Sequence, residues 1–255
     1  MIRLKNHEQM DGVRRSCGML SELFAFIVPF IKAGISTGEV DDATRGFIEA
    51  RGARSWFLGF GDYPASICVS VNEEVIHGIP GKRRLKEGDI VGLDCGIDLG
   101  GFYSDAAITL PVGKVSDEAD RLMRVTRECL DRAIAAIKPG VRVHDISRAV
   151  FAHATANGYG VVRQYCGHGV GFEAHEDPQI PNYVSPGPNP RIVPGMVLAI
   201  EPMINLGKGD VKVLDDDWTV VTLDKKISAH YEHTVAVLPE GVEVLTSWKM
   251  PGEPS

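Results

Sequence analysis

The sequence lacks the cysteine pattern of a disulfide framework or of a thiolate zinc site. Its five cysteines lie far apart, and no two of them form a Cys-x-x-Cys pair. An odd number of widely spaced cysteines is typical of a protein that keeps its thiols reduced. We therefore expect a protein of the cytoplasm.

Long apolar runs and an excess of positive charge are also missing. The longest apolar stretch, LFAFIVPFI at 23–31, is much shorter than the ~20 residues that cross a bilayer. The opening MIRLKNHEQM lacks the apolar core of a signal peptide. The net charge of -7 argues against a surface that coats nucleic acid. These absences predict a protein that neither enters a membrane nor takes nucleic acid as its substrate.

One basic cluster, GKRRLK at 81–86, departs from the acidic background. Runs of like charge usually form solvated loop surface, and that is our first interpretation. The alternative is a weak contact with the ribosome, motivated by the charges alone. It would use Lys82, Arg83, Arg84 and Lys86.

The chain repeats itself once. IKAGISTGEVDDATRGFIEARGA begins at Ile31, and the similar IKPGVRVHDISRAVFAHATANGY begins at Ile137. Apolar residues recur at helical spacing in both copies, and a glycine follows each. A second pair, EGDIVGLDCGIDLGG (87–101) and PGMVLAIEPMINLGK (194–208), matches at nearly the same displacement.

The duplication predicts one domain, residues 1–255, made of two related halves, about 1–112 and 113–255. Each half reads as two helices, a strand region and a β-hairpin, and Ser116 is the expected N-cap of the third helix. Because hairpins pair locally, the sheet should be mainly antiparallel. Helices with one apolar stripe should cover one face of it. The expected fold class is α+β with a pseudo-two-fold axis.

Two aspartates interrupt the apolar stretch GLDCGIDLGGFYSDAAITL. If Leu99 and Gly100 form a two-residue turn, Asp94 faces Asp105 directly across a hairpin. Their β-carbons would then lie about 5 Å apart. Buried acids at that distance repel each other, and burial makes their ionisation costlier still.

The second half contributes two more acids. Glu201 aligns with Asp94, and Glu232 aligns with Asp105. One proton cannot neutralise four acids, and neither strand supplies a nearby arginine, whereas two divalent ions would suffice. Oxygen ligands favour ions such as Mn, Fe or Co. Scattered, solvated acids are the alternative, and the duplicate-related positions argue against it.

Histidines are the second group of candidates. His168 is flanked by glycines in YCGHGVG, which allows close backbone approach, and His175 follows in EAHEDP. His77 lies in VIHGIP, so each half offers a histidine upstream of an acid. The other histidines are interpreted as structural: His7, His144, His153, His230 and His233. His233 should face away from the site because it neighbours Glu232 on a strand.

These motifs resemble those of type I methionine aminopeptidases. NEEVIHGIP, YCGHGVG, AIEPM and YEHT occur in the family's order, with Asp105 eleven residues after Asp94, and the resemblance spans about 3–247. It implies the duplicated pita-bread fold and a cytoplasmic, monomeric hydrolase formed by one catalytic domain. That enzyme would remove the initiator methionine from nascent polypeptides whose second residue is small. A prolidase or aminopeptidase P, and a non-catalytic pita-bread binding protein, are the alternatives.

The resemblance also implies two divalent metal ions, Co, Mn, Fe or Zn. Asp94 would chelate one ion, and Asp105 and Glu232 would bridge both. His168 and Glu201 would complete the other. Such ions make water a nucleophile by lowering its pKa.

Catalytic and substrate-binding roles follow from the same resemblance. Glu201 would also shuttle a proton, His77 would contact the scissile amide, and His175 would stabilise the oxyanion. The methionine pocket would be lined by Phe60, Tyr63, Cys68 and Trp218. Ala174 and Gly61 stand where relatives often carry a bulky apolar residue and a histidine, which leaves the breadth of specificity open. Ordinary core packing is the alternative interpretation of the aromatic residues.

Overall fold

A computed structural model describes residues 1–248, so the end of the predicted second half, 249–255, lies outside the described residues. Within them, the α-helices are α1 (His7–Ile27), α2 (Thr37–Glu49), α3 (Asp117–Ala135) and α4 (Val143–Ala156). Two 3-10 turns cover Val28–Phe30 and Phe60–Asp62. In this part of the chain no helix has the length and apolarity to cross a membrane.

The strands are short except for one long hairpin and its neighbour. In chain order they are β1 (Arg54–Ser55), β2 (Cys68–Val71), β3 (Glu74–Ile76), β4 (Ile90–Leu99), β5 (Phe102–Pro111), β6 (Gly160–Val161), β7 (Gly167–Gly169), β8 (Glu176–Ile180), β9 (Val197–Ile200), β10 (Met203–Asn205), β11 (Val211–Val213), β12 (Val220–Thr222), β13 (Ser228–His230), β14 (Glu232–Leu238) and β15 (Gly241–Val244).

The helices begin where the sequence supplies side-chain caps. Asn6 with Gln9, and Ser36 with Glu39, form reciprocal capping boxes at the starts of α1 and α2. Ser116 caps α3 by accepting a hydrogen bond from a backbone N–H of the first turn, which confirms the predicted N-cap.

Within residues 1–248, the main sheet has nine strands in the order β1-β4-β5-β14-β9-β7-β8, with β2 beside β4 and β15 beside β14. Each pairing recorded among the described strands is antiparallel, as predicted. The β4–β5 pair and the β9–β14 pair meet at the centre, where β5 contacts β14. This arrangement fits the two-fold relation expected from the repeat.

The helices and the acids occupy opposite faces of the sheet. Along β4, Leu93, Cys95 and Ile97 belong to one buried cluster that draws on all four helices. Because successive side chains of a strand alternate between faces, Asp94 and Gly96 project from the other face. The predicted helix-covered face is confirmed.

The turn of the β4–β5 hairpin differs from the prediction. The two central turn residues are Gly100 and Gly101, not Leu99 and Gly100, and Leu99 pairs with Phe102. Both glycines have positive φ, +63° and +86°. A two-residue hairpin turn of this kind requires φ > 0 at both positions, which glycine adopts without steric cost and leucine does not.

The register of the hairpin changes accordingly. Asp94 pairs with Ala107, and Asp105 pairs with Gly96, so the two aspartates are not directly opposed as predicted. They are diagonal neighbours on one face, still within reach of each other. The two carboxylates are therefore still close enough to repel each other, although the predicted direct opposition was wrong.

The second half does not contain the simple hairpin that was predicted. β9 and β14 are antiparallel neighbours, but the chain leaves the main sheet between them and forms β10 to β13. Those strands build two three-stranded sheets, β13-β10-β6 and β11-β12-β3. The duplication is therefore preserved in the strand pairs and interrupted in their connection.

A buried ion pair fastens the segment before α1 to the start of β8. Lys5 Nζ lies 2.6 Å from Glu176 Oε2, and the two side chains are 1% and 2% exposed. Glu176 Oε1 accepts the backbone N–H groups of Phe172 and Glu173 at 2.6 Å and 3.1 Å. The pair thus holds the loop that leads to His175.

Replacing Lys5 by methionine should lower the free energy of unfolding by about 3–5 kcal/mol, because the buried charge of Glu176 loses its only cationic partner among the described residues. Urea denaturation measures the loss. The double variant Lys5→Met/Glu176→Gln removes both charges and should recover part of it. A change below about 1 kcal/mol in the single variant would contradict the role given to the pair.

Candidate metal centre and substrate cavity

The predicted acids lie in two rows on the face of the sheet opposite the helices. The first row crosses three strands. Ala107 on β5 pairs with Asp94 on β4 on one side and with Glu232 on β14 on the other. Glu201, one residue past β9, continues this row beside β14. Ala107 has a small side chain, so the longer side chains on either side can converge above it.

The second row runs parallel to the first. His168 pairs with Ala199, and Ala199 pairs with Thr234. Asp105 donates its backbone N–H to Thr234 Oγ1 at 3.1 Å, and Gly96 pairs with Asp105 at the end of the row. Small residues again separate the functional ones.

The two rows bring a histidine nitrogen against carboxylate oxygens. His168 Nε2 lies 3.8 Å from Asp105 Oδ2 and 3.5 Å from Glu201 Oε1. One ligand atom each from Asp105, His168 and Glu232 lies within 4.8 Å of the others. His168 Nδ1 lies 2.9 Å from the Gly169 carbonyl, which can only accept, so Nδ1 carries the proton. The lone pair of Nε2 therefore points at the acids, as a metal ligand requires.

The acids are buried with unsatisfied oxygens. Asp94 Oδ1, Asp105 Oδ1 and Glu232 Oε1 are shielded from solvent and have no hydrogen-bond partner in the described structure. An unpaired buried carboxylate is costly. No lysine or arginine is among the described residues that line this cavity. The missing partner has the properties of a cation.

The electrostatics agree with the geometry. Burial raises the pKa of Asp94 to about 7. Burial first, and neighbouring acids second, raise the pKa values of Asp105, Glu201 and Glu232 well above their ordinary range. Burial lowers the pKa of His168 to about 3, so the imidazole is neutral and cannot balance the acids. Clustered carboxylates with a neutral imidazole fit divalent ions.

Two further histidines face the same cavity. The His175 ring centroid lies 4.3 Å from that of His168, and His77 lines the cavity beside Tyr165. Burial lowers the pKa of His77 to about 4 and also lowers that of His175. His77 adopts φ +59°, an uncommon conformation for a non-glycine residue. Two neutral imidazoles can therefore offer N–H donors to a polar group held near the acids.

The whole cavity encloses about 110 Å³, and its end away from the acids is apolar. Its lining includes all four predicted pocket residues, Phe60, Tyr63, Cys68 and Trp218. Tyr63 donates its hydroxyl to the Gly78 carbonyl at 3.0 Å, so the phenol presents mainly its ring. Burial raises the pKa of the Cys68 thiol, which keeps it neutral. Phe60 is 47% exposed and stands at the mouth.

Sequence reasoning missed three residues here. Trp56 and Phe57 line the cavity, and no pattern around them signals it. His230, interpreted as structural, places Nε2 3.8 Å from Glu201 Oε2, and this nitrogen has no hydrogen-bond partner in the described part of the chain. His233 faces away, as predicted, and stacks on Trp248.

Comparison with known proteins identifies similar chains over nearly the full length. The model of metallopeptidase family M24 matches residues 11–239. The methionine aminopeptidase of Clostridium perfringens is 49% identical over 246 residues, covering 96% of this chain and 99% of that protein. That of Treponema pallidum is 50% identical over 248 residues, covering 96% of each.

Solved structures give the same picture. The methionine aminopeptidase of Rickettsia prowazekii superposes with a TM-score of 0.94 at 36% identity, covering 97% of this chain and 100% of that one. The prolidase of Pyrococcus horikoshii gives 0.79 at 20% identity, with 97% of this chain and 64% of that one covered. At that identity the prolidase shows only a common fold.

The charge cluster makes a prediction for the metal-free protein. Asp94→Asn should be more stable than the parent, by a margin that grows from about pH 4 to pH 7. The folded parent holds a proton on Asp94 that the unfolded chain releases near its ordinary pKa of 3.8, so rising pH destabilises the parent more than the variant, which keeps the other three buried acids but lacks this one. The buried histidines, whose pKa values are lowered, favour the folded state as the pH rises. They are present in both proteins, so their contribution cancels when the variant is compared with its parent. Thermal melting in chelator at several pH values gives the margin.

Asp98→Asn is the matched control. Asp98 lies on the same strand face, but it is bonded to Arg54 and to the backbone N–H of Gly101. Its replacement should destabilise the protein. An Asp94→Asn variant whose margin over the parent stays constant or shrinks with pH would contradict the buried-acid interpretation.

Proposed function

The chain belongs to metallopeptidase family M24 and is an aminopeptidase that removes N-terminal methionine, and from that premise we propose how its residues perform the reaction. We propose that its substrates are nascent polypeptides whose second residue is small. One observation carries the assignment. A single cavity joins unsatisfied buried acids and neutral histidines to an apolar end.

Two divalent ions, Co, Mn, Fe or Zn, would be held at the acidic end. The side chains that would hold them are Asp94, Asp105, His168, Glu201 and Glu232. The unsatisfied carboxylate oxygens and the inward-facing Nε2 support this assignment. When bound, the ions would lower the pKa of a water molecule and polarise the scissile carbonyl.

The remaining catalytic work falls to side chains. Glu201 would take a proton from the attacking water and pass it to the leaving amine, a role open to a carboxylate that lines the cavity beside the reacting bond. His77 would hydrogen-bond the scissile amide. His175 would donate to the oxygen that becomes negative in the tetrahedral intermediate. Both histidines are neutral N–H donors on the rim of the acid cluster.

The apolar end would receive the methionine side chain. Phe60, Tyr63, Cys68 and Trp218 present rings and a neutral thiol, and such surfaces make favourable contacts with a thioether. A charged side chain would meet no compensating group on these walls, so it would lose its hydration without replacement.

We further propose that residues 1–255 form one catalytic domain of two halves, 1–112 and 113–255, that acts as a monomer in the cytoplasm. A weak ribosome contact through 81–86 has less support. Arg83 is bonded to Glu74 at 2.6 Å, and Arg84 is bonded to the Gly34 carbonyl at 2.6 Å. Part of the basic surface is therefore engaged within the chain.

Metal restoration tests the function directly. The chelated protein should be inactive, and Mn²⁺ or Co²⁺ should restore release of methionine from Met-Ala-Ser but not from Met-Lys-Ser. Ala-Pro-Ser should stay intact. Chromatography of the products measures each cleavage. Cleavage of Ala-Pro-Ser instead would favour a prolidase, and inactivity with every metal would favour a binding protein.

Two substitutions should separate metal binding from catalysis. Asp94→Asn removes a charged ligand and should reduce both metal content and activity. His77→Ala should keep the metal content of the parent while kcat falls about 10²-fold or more, as expected for the loss of a group that acts on the reacting bond. Elemental analysis and kinetics provide the two measurements. Full activity in Asp94→Asn would refute the ligand assignment.

A further inference from the structure

The side chain of Trp56 stands between two cavities. Trp56, Phe60 and His175 line the inner cavity of about 110 Å³ and also an outer cleft of about 610 Å³. Ala174 lines the outer cleft, where its methyl group offers little wall of its own. The indole is therefore a large part of the partition.

Three features fix the indole in place. Its Nε1 donates to the Ser104 carbonyl at 3.1 Å, and the Trp56 backbone N–H donates to the Gly96 carbonyl at 3.2 Å. A β-carbon at Gly96 would fall 1.7 Å from Nε1. The ring thus rests on Gly96, and no other residue type leaves space for it there.

That seat puts the indole at the end of the row that contains Asp105. Gly96 pairs with Asp105 and lies two residues past Asp94 on the same face. The ring also meets Phe57, Phe60 and His175 edge-on, with centroids 4.1 Å, 5.5 Å and 5.3 Å away. It therefore contacts both the apolar wall and a predicted catalytic histidine.

The indole has no polar group left for a ligand. Its one N–H is used by the Ser104 carbonyl, so the surface it offers to the cavity is apolar. The space it helps to close is compact. The whole inner cavity, its acidic end included, encloses about 110 Å³, whereas a cavity of ~150 Å³ admits a benzene molecule. An unbranched side chain suits such a space better than a wide ring.

We propose that Trp56 is a specificity-determining residue that separates the methionine side-chain cavity from the outer cleft. It sets the size limit of the first substrate residue and rejects bulkier side chains. The inference rests on the proposed function, because the cavity must receive the first side chain of a peptide. Trp56 acts on the substrate side chain and takes no part in proton transfer or metal binding.

Substitution of Trp56 tests the partition. In Trp56→Ala the inner cavity opens into the cleft, so kcat/KM for Met-Ala-Ser should fall about tenfold or more, mainly through a higher KM. Cleavage of Phe-Ala-Ser should rise relative to it. Trp56→Phe keeps a smaller ring and should shift the same ratio less. Metal content should equal that of the parent in both variants.

Gly96 provides an independent route to the same outcome. Gly96→Ala leaves Trp56 intact but displaces the indole, and should shift the Met-to-Phe ratio in the same direction as Trp56→Ala. In the double variant Trp56→Ala/Gly96→Ala no indole is present to be displaced, so the Gly96→Ala substitution should change the Met-to-Phe ratio little beyond Trp56→Ala alone. Such non-additivity identifies displacement of the indole as the shared cause.

The outcomes separate this inference from the function on which it rests. A parent protein that releases no methionine with any metal overturns the proposed function. An active parent whose Met-to-Phe ratio is unchanged in Trp56→Phe and Gly96→Ala overturns the role of Trp56 alone. Equal losses on both peptides, through kcat, would also overturn it, because they indicate a general structural role.

Discussion

Burial of four carboxylates on one sheet face is the constraint on which the rest of the structure depends. Asp94, Asp105, Glu201 and Glu232 would repel one another without a cation, and burial raises the pKa of each. The helices occupy the opposite face, which leaves this face free for a cavity. Ala107 stands between Asp94 and Glu232, and its small side chain lets the two carboxylates converge.

The polar groups at the two ends of the cavity differ in whether they have hydrogen-bond partners. At the acidic end, oxygens of Asp94 and Asp105 have no hydrogen-bond partner among residues 1–248, so a cation would stabilise them. At the apolar end, Tyr63 and Trp56 give their donors to backbone carbonyls, so they contribute rings alone. In the proposed mechanism, metal binding and selection of the substrate side chain therefore take place at different ends of one small cavity. The scissile bond would lie where the two ends meet.

Much of this could be predicted from the sequence because the chain is duplicated. The repeat aligned Glu201 with Asp94, and the antiparallel sheet followed from local pairing. The predicted hairpin register was wrong because the sequence allows a turn at Gly100 and Gly101 as well as one at Leu99 and Gly100. Only the backbone conformation distinguishes the two turns. The excursion between β9 and β14 was missed because the aligned segments themselves give no sign of what connects them.

Trp56 shows why other parts of the site could not be predicted. A lone tryptophan after a two-residue strand has no periodicity, and its environment is created by Gly96 on a distant strand. Glycine inside a strand costs about 0.5–1 kcal/mol relative to alanine, so its presence calls for a reason. Gly96 leaves the space in which the Trp56 indole packs, and that is the reason. The glycine within DCGID is thus explained by a ring that arrives from elsewhere in the chain, and Asp94, two residues before it, by the divalent ion proposed above.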